Sequence, residues 1–242
     1  MEASSLGITM TTVSGDCKKH GQWQAESGTY NGHEFIKHCP QCSKEARLEE
    51  ERKADDDAKQ KCRDRQAKRG VTDRHLDSGL ESYKVETDMQ KLSLAAVREV
   101  LDSAMSKSMR NLIMIGSVGT GKTHLGQSLV VEMVRNWKEA RYTTLSRMIR
   151  YIRGSWGRDA EYSERDAYDK LISPDLLVID EVGVQAGTDN ERNILFEVIN
   201  ERYEDRKSTV IICNLTKDEL SGALGDRTID RLRENGRMIG MT

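Results

Sequence analysis

The stretch of sequence that decides the fold reads Gly116-Ser117-Val118-Gly119-Thr120-Gly121-Lys122-Thr123. Its pattern, G-x-x-x-x-G-K-[ST], is typical of a P-loop, in which the backbone N–H groups of a glycine-rich turn surround a phosphate. The apolar run before it, residues 111–115, predicts a buried strand, and residues 124–133 after it predict a helix. Because a strand and a helix flank the turn, we predict a nucleoside triphosphate site, and a chance glycine-rich turn is the weaker interpretation.

The residue types of this stretch suit the predicted chemistry. Lys122 can reach the β- and γ-phosphates, and the hydroxyl of Thr123 is a ligand for Mg²⁺. The N-terminus of the following helix, which begins near His124, adds a favourable partial positive charge. The predicted nucleotide-binding residues are 116–124, and we expect the Lys122 ammonium to be solvated before nucleotide binds.

A second nucleotide-binding pattern is Leu176-Leu177-Val178-Ile179-Asp180-Glu181, which matches a Walker B strand. Asp180 at its end is predicted to hold the metal, and Glu181 to act on the attacking water. The alternative is a strand that ends in two solvated acids. Residues 209–214 predict a further buried strand that ends at Asn214. Ligands of parallel sheets bind at the carboxyl ends of the strands, so Lys122, Asp180 and Asn214 are expected at one shared site.

Strands and helices alternate from residue 70 to residue 242, which predicts an α/β fold with a parallel sheet and helices on both faces. Two capping boxes, Thr188-x-x-Glu191 and Thr216-x-x-Glu219, are predicted to begin helices. Of the 242 residues, 36% are apolar and 32% are charged, and the net charge is −2. This composition favours a soluble protein with no overall attraction to nucleic acid. Without a signal-peptide pattern or an apolar membrane span, we expect a cytoplasmic protein with no membrane partner.

Two short knuckles near the N-terminus have the spacing of zinc ligands. We predict that Zn²⁺ is bound by Cys17, His20, Cys39 and Cys42. His33 and His38 are rival ligands that lack the knuckle spacing, and free thiols in a flexible tail are the alternative. A module of residues 1–43 has too little core to fold without metal. Residues 1–16 are expected to be disordered, with a β-hairpin between the two knuckles.

Two charged segments follow different patterns. Residues 44–69 interleave acids and bases with almost no large apolar residue, which predicts a solvated helical or flexible linker rather than a nucleic-acid arm. Further on, Ser146 is predicted to begin a basic helix that carries Arg147, Arg150, Arg153 and Arg158, interleaved with Tyr151 and Trp156. This is a candidate patch for single-stranded DNA. The alternative is that its arginines form surface ion pairs with Glu161, Glu164 and Asp166.

Together these residues resemble the AAA+ ATPases of the DnaC/DnaI/IstB group, and most of all the DnaC-like helicase loaders of bacteria and phages. The resemblance covers about residues 70–242 and rests on three segments in the same order. These segments are Gly119-Thr120-Gly121-Lys122-Thr123-His124-Leu125, Asp180-Glu181-Val182-Gly183 and Gly225-Asp226-Arg227-Thr228-Ile229-Asp230-Arg231-Leu232.

The resemblance implies an Mg²⁺-dependent, slow ATPase that binds the replicative helicase hexamer and places it on single-stranded DNA. It implies that Asn214 orients the attacking water and that Arg231, with Arg227 as a second candidate, reaches the ATP of a neighbouring subunit. Self-association through the ATP site would follow. The N-terminal zinc module resembles the helicase-binding module of some loaders. The alternative to this catalytic role is that Arg227 forms a surface ion pair with Asp230 on its own helix.

Two other functions remain open from the sequence. One is a transposition helper of the IstB kind, which has the same ATP site but acts with a transposase on duplex DNA. The other is a binding protein in which ATP is only a structural switch. Capture of the helicase, of a transposase or of neither would distinguish the three.

Overall fold

The computed structural model describes residues 9–30, 33–34, 36, 38–183 and 188–241. The chain divides into two compact units, Met1–Lys61 and Cys62–Thr242. The predicted division at residues 43 and 69 remains a prediction. No helix in the described ranges is long and apolar enough to cross a membrane.

The first unit is built on an antiparallel hairpin of β1 (Thr9–Cys17) and β2 (Gly21–Tyr30), to which the short β3 (His33–Glu34) is added. The prediction that residues 1–16 are disordered is wrong for residues 9–16, because each of them pairs with a residue of β2. Residues 1–8 lie outside the described residues. The predicted hairpin between the two knuckles is confirmed by the antiparallel pairing of β2 with β3. A second hairpin, of β1 and β2, carries the first knuckle at its turn.

Helix α1, Pro40–Lys68, covers the charged segment. Its side chains are mostly exposed, and ion pairs one turn apart join Arg47 to Glu51 at 2.9 Å and Lys53 to Glu49 at 2.9 Å. Such pairs each add a few tenths of a kcal/mol, roughly 0.2–0.5, to a solvated helix. The helix therefore forms by composition and local charge pairing rather than by burying an apolar face.

The second unit is a five-stranded parallel sheet with strand order β5-β6-β7-β4-β8. Its strands are β4 (Asn111–Gly116), β5 (Ala140–Thr144), β6 (Leu176–Val182), β7 (Ser208–Cys213) and β8 (Gly236–Met241). Its helices are α2 (Asp88–Met105), α3 (Lys122–Arg135), α4 (Leu145–Gly154), α5 (Glu164–Ile172), α6 (Asp189–Glu204), α7 (Leu220–Leu224) and α8 (Asp226–Glu234). The predicted α/β fold is confirmed.

Two apolar clusters, one on each face of the sheet, form the core. Leu112 and Met114 of β4 pack with residues of α2 and α3, whereas Ile113 packs with residues of α4 to α8. This alternation follows from the two-residue side-chain period of a strand. The helices on both faces are thus fixed by the sequence of the buried strands.

Side-chain capping decides where two helices begin, and a third predicted cap forms a turn instead. The Thr188 box is present: its hydroxyl accepts from the N–H of Glu191 at 3.3 Å, and α6 begins at the next residue. Helix α4 begins at Leu145 and not at Ser146, because Thr144 at the end of β5 provides the cap. The carboxylate of Glu219 does accept from the N–H of Thr216 at 2.9 Å, but these residues form a turn and α7 begins only at Leu220.

Arg202 of α6 is fully buried within the core. Its guanidinium donates to the carbonyls of Leu171, Ile172 and Pro174 at 2.8–3.0 Å, and to the hydroxyl of Thr209 at 3.0 Å. Burial lowers the pKa of Arg202 to about 9, so the group stays charged at neutral pH. It stabilises the C-terminal end of α5, where the negative end of the helix dipole favours a cation.

Candidate functional site

The glycines of the P-loop adopt backbone conformations that favour glycine. Gly116, Gly119 and Gly121 have φ values of 137°, 90° and 89°, in the region where a Cβ is strained. A Cβ on Gly116 would also lie 1.9 Å from the carbonyl oxygen of Met241, and one on Gly121 would lie 2.7 Å from the ring of Tyr83. These conformations give the loop the curved form that a phosphate-binding turn requires.

Lys122 lies inside this loop, so the expectation of a solvated ammonium is wrong. Its Nζ donates to the carbonyls of Gly116 at 2.9 Å and Ser117 at 2.6 Å, and to the hydroxyl of Thr120 at 3.1 Å. The residue is 4% exposed. Burial lowers the pKa of Lys122, and the charge of Asp180 opposes that shift. The loop oxygens hold the ammonium close to where a phosphate would enter.

The two residues predicted to hold Mg²⁺ meet directly. The hydroxyl of Thr123 donates to Oδ2 of Asp180 at 2.7 Å. Asp180 is 3% exposed, and the backbone N–H of Glu181 donates to its Oδ1 at 2.6 Å. A third donor, the hydroxyl of the buried Tyr142, reaches Oδ2 at 2.7 Å. Sequence reasoning missed Tyr142, because its contact depends on the register of β5 and β6.

Glu181 leaves the regular strand. It has a φ of 59° and lies in a register shift of β6 against β7 between Ile179 and Val182. A bulge of this kind changes the direction of a side chain, and such outliers occur at functional sites. Glu181 is exposed and lines a groove together with Leu145, Ser146, Ile149, Arg150, Arg153 and Glu191.

Asn214 follows β7 directly and is exposed. Cys213 pairs with Val182 across the two strands. Asn214 therefore lies at the same edge of the sheet as Asp180 and Glu181. The structure brings these residues to the carboxyl ends of adjacent strands, where a shared site requires them.

An aromatic group beside the P-loop contains residues that sequence reasoning missed. The rings of Tyr83 and His124 stack with centroids 5.9 Å apart, and His75 lies 5.6 Å from His124. Tyr83 donates to the carbonyl of Thr120 at 3.4 Å. Burial lowers the pKa of both His75 and His124, which favours neutral rings. The signal was available in the polar segment 72–83, where a histidine and a tyrosine precede α2.

The candidate arginine fingers lie on α8. Arg231 is partly exposed; its Nε donates to Oδ1 of Asn200 at 3.2 Å, and its guanidinium lies 4.7 Å from the centre of the Tyr203 ring. Arg227 is exposed. The alternative role for Arg227 is an ion pair with Asp230. In the described part of the chain, Asp230 instead pairs with Arg231, with 3.8 Å between Nη1 of Arg231 and Oδ2 of Asp230. Helix α6 thus holds Arg231 in place on the surface.

Three arginines of α4, Arg147, Arg150 and Arg153, are exposed. Arg153 pairs with Glu191 at 3.5 Å rather than with the acids proposed as its alternative partners. Of those acids, Glu164 accepts from the indole of Trp156 at 2.7 Å, and Asp166 caps α5. Tyr151 is stacked on Tyr162 with centroids 4.6 Å apart. Of the two aromatic residues predicted to stack on bases, Trp156 is therefore the more available, and it is half-exposed.

The four predicted zinc ligands converge. Their ligand atoms all lie within 4.8 Å of one another. Nδ1 of His20 lies 3.7, 3.6 and 3.3 Å from the sulfur atoms of Cys17, Cys39 and Cys42. The edges of a zinc tetrahedron are about 3.6–3.8 Å, given bonds of roughly 2.0–2.3 Å. The cysteines are free thiols, and the geometry fits a metal ion.

Glu45 of α1 orients the histidine of this cluster. Its Oε1 lies 3.1 Å from Nε2 of His20, and its Oε2 accepts from Lys19 at 2.6 Å. Nδ1 of His20 therefore faces the sulfur atoms while Nε2 faces a carboxylate, as in many metal-bound histidines. Backbone N–H groups of His20 and Lys19 lower the pKa of the Cys17 thiol to about 6.

The fold and the site define a P-loop NTPase of the AAA+ type: a parallel sheet with helices on both faces, a glycine-rich loop after β4 and a buried aspartate on β6. The family described as IstB-like ATP binding protein matches residues 40–234. Because that match covers most of the chain, the protein belongs to this family.

Relatives and solved structures agree with this assignment. The chain is 27% identical over 164 residues to the replicative helicase loader DnaC of Buchnera aphidicola subsp. Schizaphis graminum, and 28% identical to that of Escherichia coli K12. The alignments cover 68% of this chain and 66% of each relative, just under two thirds of their length.

Two solved structures show the same fold. A crystal structure of the DnaC helicase loader has a TM-score of 0.61 at 20% identity, over 71% of this chain and 100% of that one. The replication initiator DnaA bound to AMPPCP and single-stranded DNA has a TM-score of 0.60 at 20% identity, over 71% and 50%.

Proposed function

We propose that this protein uses ATP to bind a replicative helicase hexamer and to place it on single-stranded DNA, and that slow hydrolysis controls release of the helicase. The observation that carries the proposal is the contact of Thr123 with Asp180 beside the P-loop. The similarity to proteins named as helicase loaders supports the choice of partner. Those names describe helicase loading by the relatives, and the proposal assigns the same activity to this protein.

The residues present fit ATP and Mg²⁺. A buried carboxylate beside a hydroxyl offers the oxygen ligands that Mg²⁺ prefers, and these are Asp180 and Thr123. When bound, Mg²⁺ neutralises charge on the β- and γ-phosphates. The backbone of residues 116–121 would hold the phosphates, with Lys122 at the β- and γ-positions. Glu181 would take the proton of the attacking water, which Asn214 would orient.

The aromatic group at the other end of the loop would hold the base. Neutral rings of Tyr83, His75 and His124 give an apolar, stacking surface next to the phosphate-binding loop. The assignment of His124 to the nucleotide site gains support from this stacking.

Self-association through the ATP site would complete the catalytic residues. Arg231 is exposed enough to reach a neighbour, and its contacts with Asn200 and Tyr203 hold it pre-oriented. An arginine supplied by a neighbour can raise phosphoryl transfer by roughly 10³–10⁵ in related systems. We propose this role for Arg231, with Arg227 as the second candidate, in a head-to-tail assembly.

Single-stranded DNA would bind at Arg147, Arg150 and Arg153, with Trp156 as the stacking side chain. Arg150 and Arg153 line a groove that also includes Glu181, so a bound strand would lie near the proposed catalytic glutamate. The binding would fall with salt, because it depends on phosphate contacts.

The zinc-bound N-terminal module would bind the helicase, and chelation would unfold it.

A second candidate is favoured by the family match, whose description is IstB-like. On this view the partner is a transposase and the DNA is duplex. The full-length chain with ATP, used to capture proteins from lysate, separates the two. Capture of a replicative helicase that is lost in Lys122→Ala supports the proposal, whereas capture of a transposase, or an ATPase stimulated by duplex rather than single-stranded DNA, contradicts it.

A further inference from the structure

We propose that Tyr142 is a positioning residue for Asp180 and thereby sets the affinity of the nucleotide site for Mg²⁺; this inference rests on the proposed Mg·ATP site. The Tyr142 hydroxyl donates to Oδ2 of Asp180 at 2.7 Å, and the ring is 5% exposed. The same oxygen accepts from Thr123, and Oδ1 accepts from the N–H of Glu181. Side chains and backbone of three elements, α3, β5 and β6, therefore hold the carboxylate.

Among these three donors, Tyr142 is the one suited to a fixed support. Thr123 is itself a proposed ligand of the metal, so its hydroxyl would contact the ion in the bound state. The N–H of Glu181 belongs to the bulge, where the backbone has a φ of 59°. Tyr142 lies within regular strand β5, paired with Val178 of β6. It can hold Asp180 in both the free and the bound state.

A phenol hydroxyl carries one proton and an ionised carboxylate carries none, so the hydrogen bond between Tyr142 and Asp180 runs from the hydroxyl to the carboxylate. A buried carboxylate must have hydrogen-bond donors, because an unpaired buried charge is costly. The two groups therefore stabilise each other, and the direction of the bond is fixed from Tyr142 to Asp180.

The segment that follows α1, residues 69–72, holds the backbone of Tyr142 in place. The backbone N–H of Tyr142 donates to the carbonyl of Arg69 at 2.8 Å. Gly70 approaches so closely that a Cβ there would lie 2.0 Å from the Tyr142 carbonyl oxygen. Oε1 of Gln127, on α3, accepts from the N–H of Thr72 at 2.9 Å. Residues 69–72 thus cover the edge of β5 and prevent Tyr142 from moving away from Asp180.

The test is Tyr142→Phe in the full-length chain, which keeps the buried ring and removes only the hydroxyl. Binding of a fluorescent ATP analogue is titrated against Mg²⁺, and is measured separately in EDTA. We expect the half-saturating Mg²⁺ concentration to rise about tenfold or more, as for other residues that orient a metal ligand. Binding in EDTA should not change, since Tyr142 contacts Asp180 and not the phosphate-binding loop.

The matched control is Tyr168→Phe, which removes a hydroxyl from a bond of the same length, 2.7 Å, to the carboxylate of Glu197. Its Mg²⁺ titration should match that of the wild type. Equal Mg²⁺ dependence of Tyr142→Phe and wild type, with both folded by circular dichroism, would overturn the inference. A wild type whose nucleotide binding does not respond to Mg²⁺ would overturn the proposed site as well, and the two failures are therefore distinguishable.

Discussion

At the scale of single residues, the site depends on charges that are buried and hydrogen-bonded within the protein. Lys122 and Asp180 are both almost inaccessible to solvent. Their hydrogen-bond partners come from the P-loop, from α3 and from β5. These residues are therefore part of the packed fold, and changes to them should affect stability as well as chemistry.

Replacement of Lys122 by alanine should abolish Mg·ATP hydrolysis and leave the domain folded but less stable. The ammonium donates three hydrogen bonds to loop oxygens, so we expect a loss of about 1–3 kcal/mol in the free energy of unfolding. Urea denaturation measures this loss, with the exposed Lys91→Ala as control within about 0.5 kcal/mol of wild type. Full ATP turnover in Lys122→Ala would refute the P-loop assignment.

The histidines beside the loop predict a pH dependence. Burial lowers the pKa of His124 below its ordinary value of 6.5, and that of His75 likewise. Below pH 6.5 the unfolded chain binds protons that the folded chain does not, so stability falls as the pH falls through this window. His124→Gln should show a shallower fall in melting temperature between pH 7.5 and 5.5 than wild type or the control His38→Gln. Parallel curves for all three would contradict the neutral-ring account.

At the scale of elements, α1 is tied to the cysteine cluster through Glu45. Glu45→Gln should weaken zinc binding by about 10–100-fold, because it removes the carboxylate that orients His20. Competition with a chromogenic chelator measures this. The control is Glu49→Gln, one turn further along α1, where the carboxylate pairs with Lys53 instead. Identical zinc affinities for the two variants would contradict the role of Glu45, and a wild type without zinc would contradict the site.

The elements also show what could be predicted from sequence. The P-loop, the Walker B strand and the parallel sheet follow from short local patterns, such as four apolar residues before Asp180. Strand β1 was missed because residues 9–16 are mostly polar and are ordered by backbone pairing with β2. The polarity of the side chains does not predict this pairing, because backbone N–H and C=O groups form hydrogen bonds whatever side chain the residue carries.

Contacts between distant segments were beyond the sequence. Tyr142 and Asp180 are 38 residues apart, and only the parallel register of β5 and β6 brings them together. Arginine is usually a surface residue, but the end of α5 supplies the carbonyl oxygens that allow Arg202 to be buried. Composition predicts neither case, because each partner is set by the tertiary fold.

At the scale of the whole molecule, a shared active site predicts complementation between variants. Arg231→Ala should bind ATP but hydrolyse it poorly, and Lys122→Ala should be inactive with an intact Arg231. In a mixture, an Arg231→Ala site can use Arg231 of a Lys122→Ala neighbour, so part of the activity should return. The measurement is ATP turnover in mixtures whose co-assembly is confirmed. Turnover no greater than the average of the two variants would contradict a shared active site and indicate that Arg231 is an ordinary surface residue.

The measurement that tests the central claim most directly is the loading of a replicative helicase hexamer on circular single-stranded DNA. A circle has no end, so a closed ring can encircle it only if the ring is opened. We expect helicase to become stably bound to the circle when this protein and Mg·ATP are both present, and not with Lys122→Ala. Equal loading with and without the protein, or with the Lys122→Ala variant, would contradict the account.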